Sequence, residues 1–175
     1  MSKKISYSGI LLAINIILLI LCNIIPTNTM FFMILASLPV SVVIMEFGIK
    51  SGVVFCIASA ILSFMVFVNK FEWLLYFTTF CVYGIIKYLI EKDRNVFLEY
   101  FLKILYANSS VGVLYFLLKD LIFIPMNVFI VLAFQVLFLI YDYIYSYFID
   151  YYNLKFENFT QFNDFLRKRL GYEKK

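Results

Sequence analysis

Histidine is absent from all 175 residues, and glycine (6), proline (3), cysteine (3) and tryptophan (1) are scarce. The missing histidine excludes His-ligated zinc, His-based nucleophilic triads and His-containing intramembrane proteases together. No GxxxxGK[ST] loop occurs, so the chain has no P-loop with which to hydrolyse ATP by itself. Cys22, Cys56 and Cys81 are odd in number, lie inside apolar runs and show no CxxC spacing, which reads as apolar packing rather than metal or redox chemistry. Charge is thin as well, at 15% of residues.

Hydrophobic residues make up 64% of the chain and aromatics 21%, and the mean hydropathy is +0.93. A soluble domain of this size does not have enough polar surface to cover that apolar content. Hydrocarbon about 30 Å thick needs roughly 20 residues of helix, and six runs qualify: Ile5 to Ile25, Met30 to Phe47, Gly52 to Val68, Trp73 to Ile90, Val96 to Leu118, and Pro125 to Tyr147. They are separated by Pro26-Thr27-Asn28-Thr29, by Gly48-Ile49-Lys50-Ser51, by Asn69-Lys70-Phe71-Glu72, by the charged break Glu91 to Asn95, and by Lys119-Asp120. The ten-residue alternation of a membrane barrel is missing, so the expected fold is all-α, a six-helix transmembrane bundle over residues 1–148.

Cations set the expected orientation. Lys3, Lys4, Lys50, Lys87, Lys92, Arg94, Lys103, Lys155, Arg167, Lys168, Arg169, Lys174 and Lys175 fall on one side, and only Lys70 and Lys119 on the other. That asymmetry predicts a plasma-membrane protein with both termini in the cytoplasm. The N-terminal run is too long for a cleaved signal and no small-residue cleavage site follows, so it reads as a retained anchor. Residues 149–175 form a separate tail, in which Phe159, Phe162, Phe165, Leu166 and Leu170 recur at helical spacing beside Arg167-Lys168-Arg169. This describes an amphipathic helix on the cytoplasmic leaflet, or a docking helix for a soluble partner.

Glu46 and Asp142 read as anchors near cytoplasmic ends, reaching headgroups or pairing with Lys50 or Lys87. Glu99 and Lys103 stand four apart, as a structural pair. No acid is expected at mid-depth, so a proton relay has no carrier. Asn15, Asn23, Asn108 and Gln135 serve either as hydrogen-bonding glue between helices or, with Asn28, Asn69 and Trp73, as the lining of an outward-facing substrate pocket. Pro39 removes a donor from the middle of the second run and should kink it. Gly9 and Ala13, and Gly48 and Gly52, are spaced four apart and read as partner-interface positions where backbones approach closely. No cofactor and no nucleic acid are expected.

These residues resemble the S components of energy-coupling factor transporters, and more loosely the uncharacterised membrane proteins of the same superfamily. The shared layout is six helices with cytoplasmic ends, the Gly9/Ala13 face in the first helix, and a proline-containing second helix. The turn Gly48-Ile49-Lys50-Ser51-Gly52 and the pattern Gly84-Ile85-Ile86-Lys87 complete it, so that the likeness covers about Ser6 to Leu118. The resemblance implies a non-catalytic receptor that captures a small molecule, often a vitamin, and topples against a transmembrane coupling subunit driven by two ATPase subunits. It also implies that Gly9 and Ala13 contact that coupling subunit. The loop Pro26 to Thr29 is shorter than the lids of that group. The chain is similar in size and span count to the rod-shape-determining membrane protein of the bacterial elongation complex, an assembly factor. It departs from that family in having no acid between Ala58 and Met65.

Overall fold

In the computed structural model, the backbone is described for residues 2–91, 95–118 and 128–169, and the side chains for 3–91, 95–117 and 131–155. Seven helices are described: α1 (Ser2–Ile24), α2 (Thr29–Phe47), α3 (Ile49–Val66), α4 (Lys70–Leu75), α5 (Val82–Glu91), α6 (Val96–Leu118) and α7 (Val128–Arg169). A 3₁₀ turn, Pro26–Asn28, joins α1 to α2, and a π-helical turn, Tyr76–Cys81, joins α4 to α5 so that they read as one span. Six stretches are long and apolar enough to cross a bilayer, and the described residues contain no strand. The chain is a multi-pass, all-α membrane protein.

The second span is the hub. Every residue from Ala36 to Ile44 is buried, so α2 is enclosed on all sides, as a helix must be when it is apolar around its whole circumference. Small side chains permit this: Ala36, Ser37 and Ser41 let α1, α3, α5 and α7 approach. The hydroxyls of Ser37 and Ser41 donate to Ile34 O (2.6 Å) and Leu38 O (2.7 Å), which satisfies them within the helix. Pro39 is buried within α2, and the helix continues through it to Phe47.

At Gly48 the chain reverses with φ of +81°, a left-handed conformation that glycine adopts without a Cβ penalty. Gly48 itself is exposed, whereas Gly52, read from the sequence as a partner-interface position, is buried inside the chain. A Cβ at Gly52 would stand 2.2 Å from Ile44 Cγ1, so this glycine closes α3 onto α2 and is not open to a partner.

The opposite end is closed by polar caps. Asn69 Oδ1 accepts from the Phe71 amide (3.1 Å) at the start of α4, and Lys70 Nζ donates to Phe64 O (2.7 Å) and Phe67 O (2.9 Å) at the end of α3. A cation there meets the negative end of the helix dipole.

The sixth span departs from the expected boundary near residue 148. The helix α7 continues without a break for 42 residues, about 63 Å at 1.5 Å per residue, so no turn separates span from tail. The side chains of Phe159, Phe162, Phe165, Leu166 and Arg167 to Arg169 lie outside the described residues, as does Leu170.

Gly52→Ala should lower the stability of the purified protein by about 1–3 kcal/mol through overpacking, with Ile44→Ala in the same chain recovering part of the loss. Thermal unfolding in detergent reads both; strict additivity of the two substitutions would show that they do not share this contact.

Candidate functional site

The polar groups of the interior collect at two places. The first joins four spans. Asn15 Nδ2 donates to Ala36 O (2.5 Å) and to Tyr76 Oη (2.8 Å), and Ser59 Oγ donates to Asn15 Oδ1 (2.8 Å). Ser59 and Tyr76 are also 3.1 Å apart through their hydroxyls. Ser59 has one proton and gives it to Asn15, so Tyr76 donates to Ser59, and the three side chains form a closed ring. All three are fully buried. In hydrocarbon such a ring is the condition for keeping these groups inside at all.

The second place is an ion cluster between α5, α6 and α7. Asp142 is 5% exposed, and its Oδ1 accepts from Tyr83 Oη (2.5 Å) and Lys87 Nζ (2.5 Å), while Oδ2 accepts from Lys103 Nζ (2.9 Å). Lys87 donates also to Glu91 and to Ser146 Oγ (2.7 Å). Lys103 donates also to Glu91 Oε1 (2.7 Å) and Glu99 Oε1 (2.6 Å). Each ammonium group has three donors and each uses all three. Lys103 is seven residues from the start of α6, about 10 Å along the helix.

An aromatic shell closes over the cluster. The Tyr83 ring lies 4.9 Å from Phe138, 5.4 Å from Tyr141, 5.5 Å from Tyr106 and 5.9 Å from Tyr145 between centroids. The Tyr145 hydroxyl donates to Ser37 O (3.3 Å), tying α7 to the hub helix.

Of the alternatives the sequence left open for Asp142, the pair with Lys87 is present, and the carboxylate is buried, so the interior does hold an acid. Lys87 and Lys103 are buried in the same cluster, which leaves eleven of the thirteen cations outside it for the charge asymmetry. Glu46 pairs with neither expected lysine; it accepts from Tyr152 Oη (2.7 Å), and Tyr7 approaches Tyr152 Oη at 3.3 Å. The Glu99–Lys103 pair is present.

The cavities lined by described residues include the following three. One of about 250 Å³ is lined by Ser41, Ile44, Gly84, Tyr88, Glu91 and Asn153, among others. One of about 490 Å³ follows α1 and α3 past Lys4, Ser8, Gly9, Leu12, Lys50 and Ala58. The third, about 180 Å³, lies between α2, the π turn and α7, with Ile34, Thr79, Phe80, Phe138 and Tyr141 among its walls. Thr79 Oγ1 is buried and has no hydrogen-bond partner among the described residues. No protein-family model, no curated protein and no solved structure matches this chain.

The seven residues expected to line one substrate pocket are scattered, and none borders these three cavities. Asn15 is locked in the buried ring. Asn23 bridges the ends of α1 and α3, donating to Val66 O (3.2 Å) and accepting from the Val68 amide (3.4 Å). Asn28 is exposed before α2, and Asn69 caps α4. Trp73 donates to Ala60 O (3.0 Å) and stacks on Phe77. Gln135 donates to Asn108 Oδ1 (2.9 Å), joining α6 to α7. Of the small-residue positions, Gly9 borders the α1/α3 groove, with nothing within 4 Å of where its Cβ would stand, and Ala13 is exposed on the same helix.

Tyr83, Thr79 and the meeting of Asp142 with Lys103 were missed by sequence reasoning. The available signal was the presence of Lys87 and Lys103 inside apolar runs, since an ionisable group at that depth must find a partner. Removing one member of a buried ion pair leaves the others uncompensated, so Lys103→Met should cost about 3–5 kcal/mol of stability. Glu99→Gln, at the partly exposed edge, should cost under about 1 kcal/mol. Thermal melts of the two variants in the same detergent decide this, and equal losses would count against a cluster centred on Lys103.

Proposed function

We propose that this chain is a non-catalytic, small-molecule-binding membrane subunit of the energy-coupling factor kind, set in the plasma membrane with both termini in the cytoplasm. The observation that carries the reading is the cavity between α2, the π turn and α7, whose one unsatisfied buried hydroxyl, Thr79, stands among apolar and aromatic walls. Few convergent polar groups in an apolar recess are the usual build of a small-molecule site. Its occupant is small, mostly apolar, and presents one hydrogen-bonding group to Thr79. Met30, Leu137, Ile140 and Ile144 on its rim are exposed, so entry is from the bilayer side.

Docking to a coupling subunit, with its ATPase subunits beyond, uses the α1/α3 groove. Gly9 leaves that surface open to close approach by another helix, and Lys4 and Lys50 border it at one end. The remaining cations still favour a cytoplasmic position for that end.

A second reading is favoured by a specific observation. Asn15, Ser59 and Tyr76 satisfy one another, as do Asn108 and Gln135, and this leaves no polar vestibule among the described residues. An assembly or scaffold protein of the rod-shape-determining kind needs no such vestibule.

The chain purified from its host in mild detergent should carry a stoichiometric small molecule, identified by mass spectrometry, that Thr79→Val loses at least tenfold while melting at an unchanged temperature. Recovery of phospholipid alone from both forms would sink the ligand reading. Independently, Gly9→Leu/Ala13→Leu should abolish co-purification of a coupling subunit and its ATPases. Undiminished recovery would remove the groove from the proposal, and cell-wall synthesis proteins in their place would establish the scaffold reading.

A further inference from the structure

Two of the three cysteines, 25 positions apart in sequence, meet in the core. Cys56 on α3 and Cys81 at the end of the π turn place their Sγ atoms 2.8 Å apart, and Cys81 Sγ is 3.7 Å from Cys56 O. Both thiols are free and buried. Cys22 lies elsewhere, with its Sγ directed to Leu18 O and Thr29 O near the α1/α2 turn. Facing sulfurs on two packed spans meet the first requirement of a disulfide, which is proximity.

We propose that Cys56 and Cys81 form a redox site, a dithiol that closes to a disulfide under peroxide and fixes the π turn against α3. One thiol, as its thiolate, attacks a peroxide oxygen; the O–O bond breaks, hydroxide leaves and takes up the released proton as water, and the sulfur is left as a sulfenic acid. The second sulfur displaces the sulfenic hydroxyl, which leaves as water with the second thiol proton. Two S–H bonds are lost, one S–S bond forms, and the two electrons reduce hydrogen peroxide to two waters. Hydrogen peroxide is small and neutral, which suits a pair buried between spans.

The location gives the bond a consequence. Cys56 is one turn before Ser59, and Cys81 shares the π turn with Tyr76, so the pair lies beside the Asn15–Tyr76–Ser59 ring. A π turn holds one residue more than the α-helical count. Returning it to α geometry would rotate everything after it by about 100°, the angle of one residue in a 3.6-residue turn. Cys81 would leave Cys56, and Tyr83 and Lys87 would leave Asp142. The disulfide therefore adds a covalent hold on the phase that the ring and the ion cluster already share in the dithiol form.

The test uses the purified full chain, reduced with dithiothreitol, then exposed to hydrogen peroxide or, separately, to iodine, and finally denatured and alkylated with N-ethylmaleimide. Labelled cysteines should fall from three to one, with the remaining label on Cys22, and digestion should yield a linked peptide pair containing Cys56 and Cys81 that dithiothreitol separates. The melting temperature should rise on oxidation in the wild type and stay constant in Cys56→Ser. Cys22→Ser should still form the link. Retention of all three labels under both oxidants, or loss of label through sulfinic acid without a linked peptide, overturns the proposal, as does a link that includes Cys22.

Discussion

Asp142 held between Lys87 and Lys103 is the interaction on which the second half of the bundle depends. Outside this cluster α6 presents mainly apolar side chains outward, and apolar contact alone is weak glue between helices already surrounded by hydrocarbon. Charge–charge hydrogen bonds in that medium are strong and cannot be exchanged for water. The cluster therefore fixes α6 against α5 and α7, and its saturation leaves each cation with a defined set of partners. Glu91 and Glu99 lie at its partly exposed edge and Asp142 at its buried centre.

The first half is organised differently. The spans α1, α2 and α3 pack closely because glycine, alanine and serine occupy their contacts, and the Asn15–Tyr76–Ser59 ring pins them to the fourth span. The π turn is the joint between the two halves. It carries Tyr76 into the ring on one side and, through the rotation it imposes, delivers Tyr83 and Lys87 to Asp142 on the other. One helical irregularity thus serves two polar centres facing different directions.

Because those centres satisfy themselves, the two proposed sites lie at the edges of the bundle. The α1/α3 groove and the recess beside Thr79 share no lining residue, so the docking and ligand binding we propose would not compete for one surface. Both depend on what the interior holds still: Thr79 is positioned by the π turn, and the groove by the close approach of α1 to α3.

Span number, the all-α class and, to within a few residues, the limits of the first five spans were legible in the sequence, because a run of about twenty apolar residues has few alternatives in a bilayer. So were the Glu99–Lys103 pair and the turn at Gly48, which are set by neighbours along the chain. The grouping of the seven polar residues was not legible: Asn15 and Asn69 carry the same amide, and only the surroundings make one a buried ring member and the other a helix cap. Nor was the π turn, since a one-residue irregularity leaves hydropathy unchanged while it rotates every later side chain. Gly52 shows the same limit, because a small residue permits close approach without naming the helix that approaches. The sequence by itself determined that the chain must lie in a membrane and how many times it crosses. Tertiary structure alone decided which polar groups meet, because hydrogen bonds act over about 3 Å between residues as far apart as Ser37 and Tyr141, a distance that no local pattern encodes.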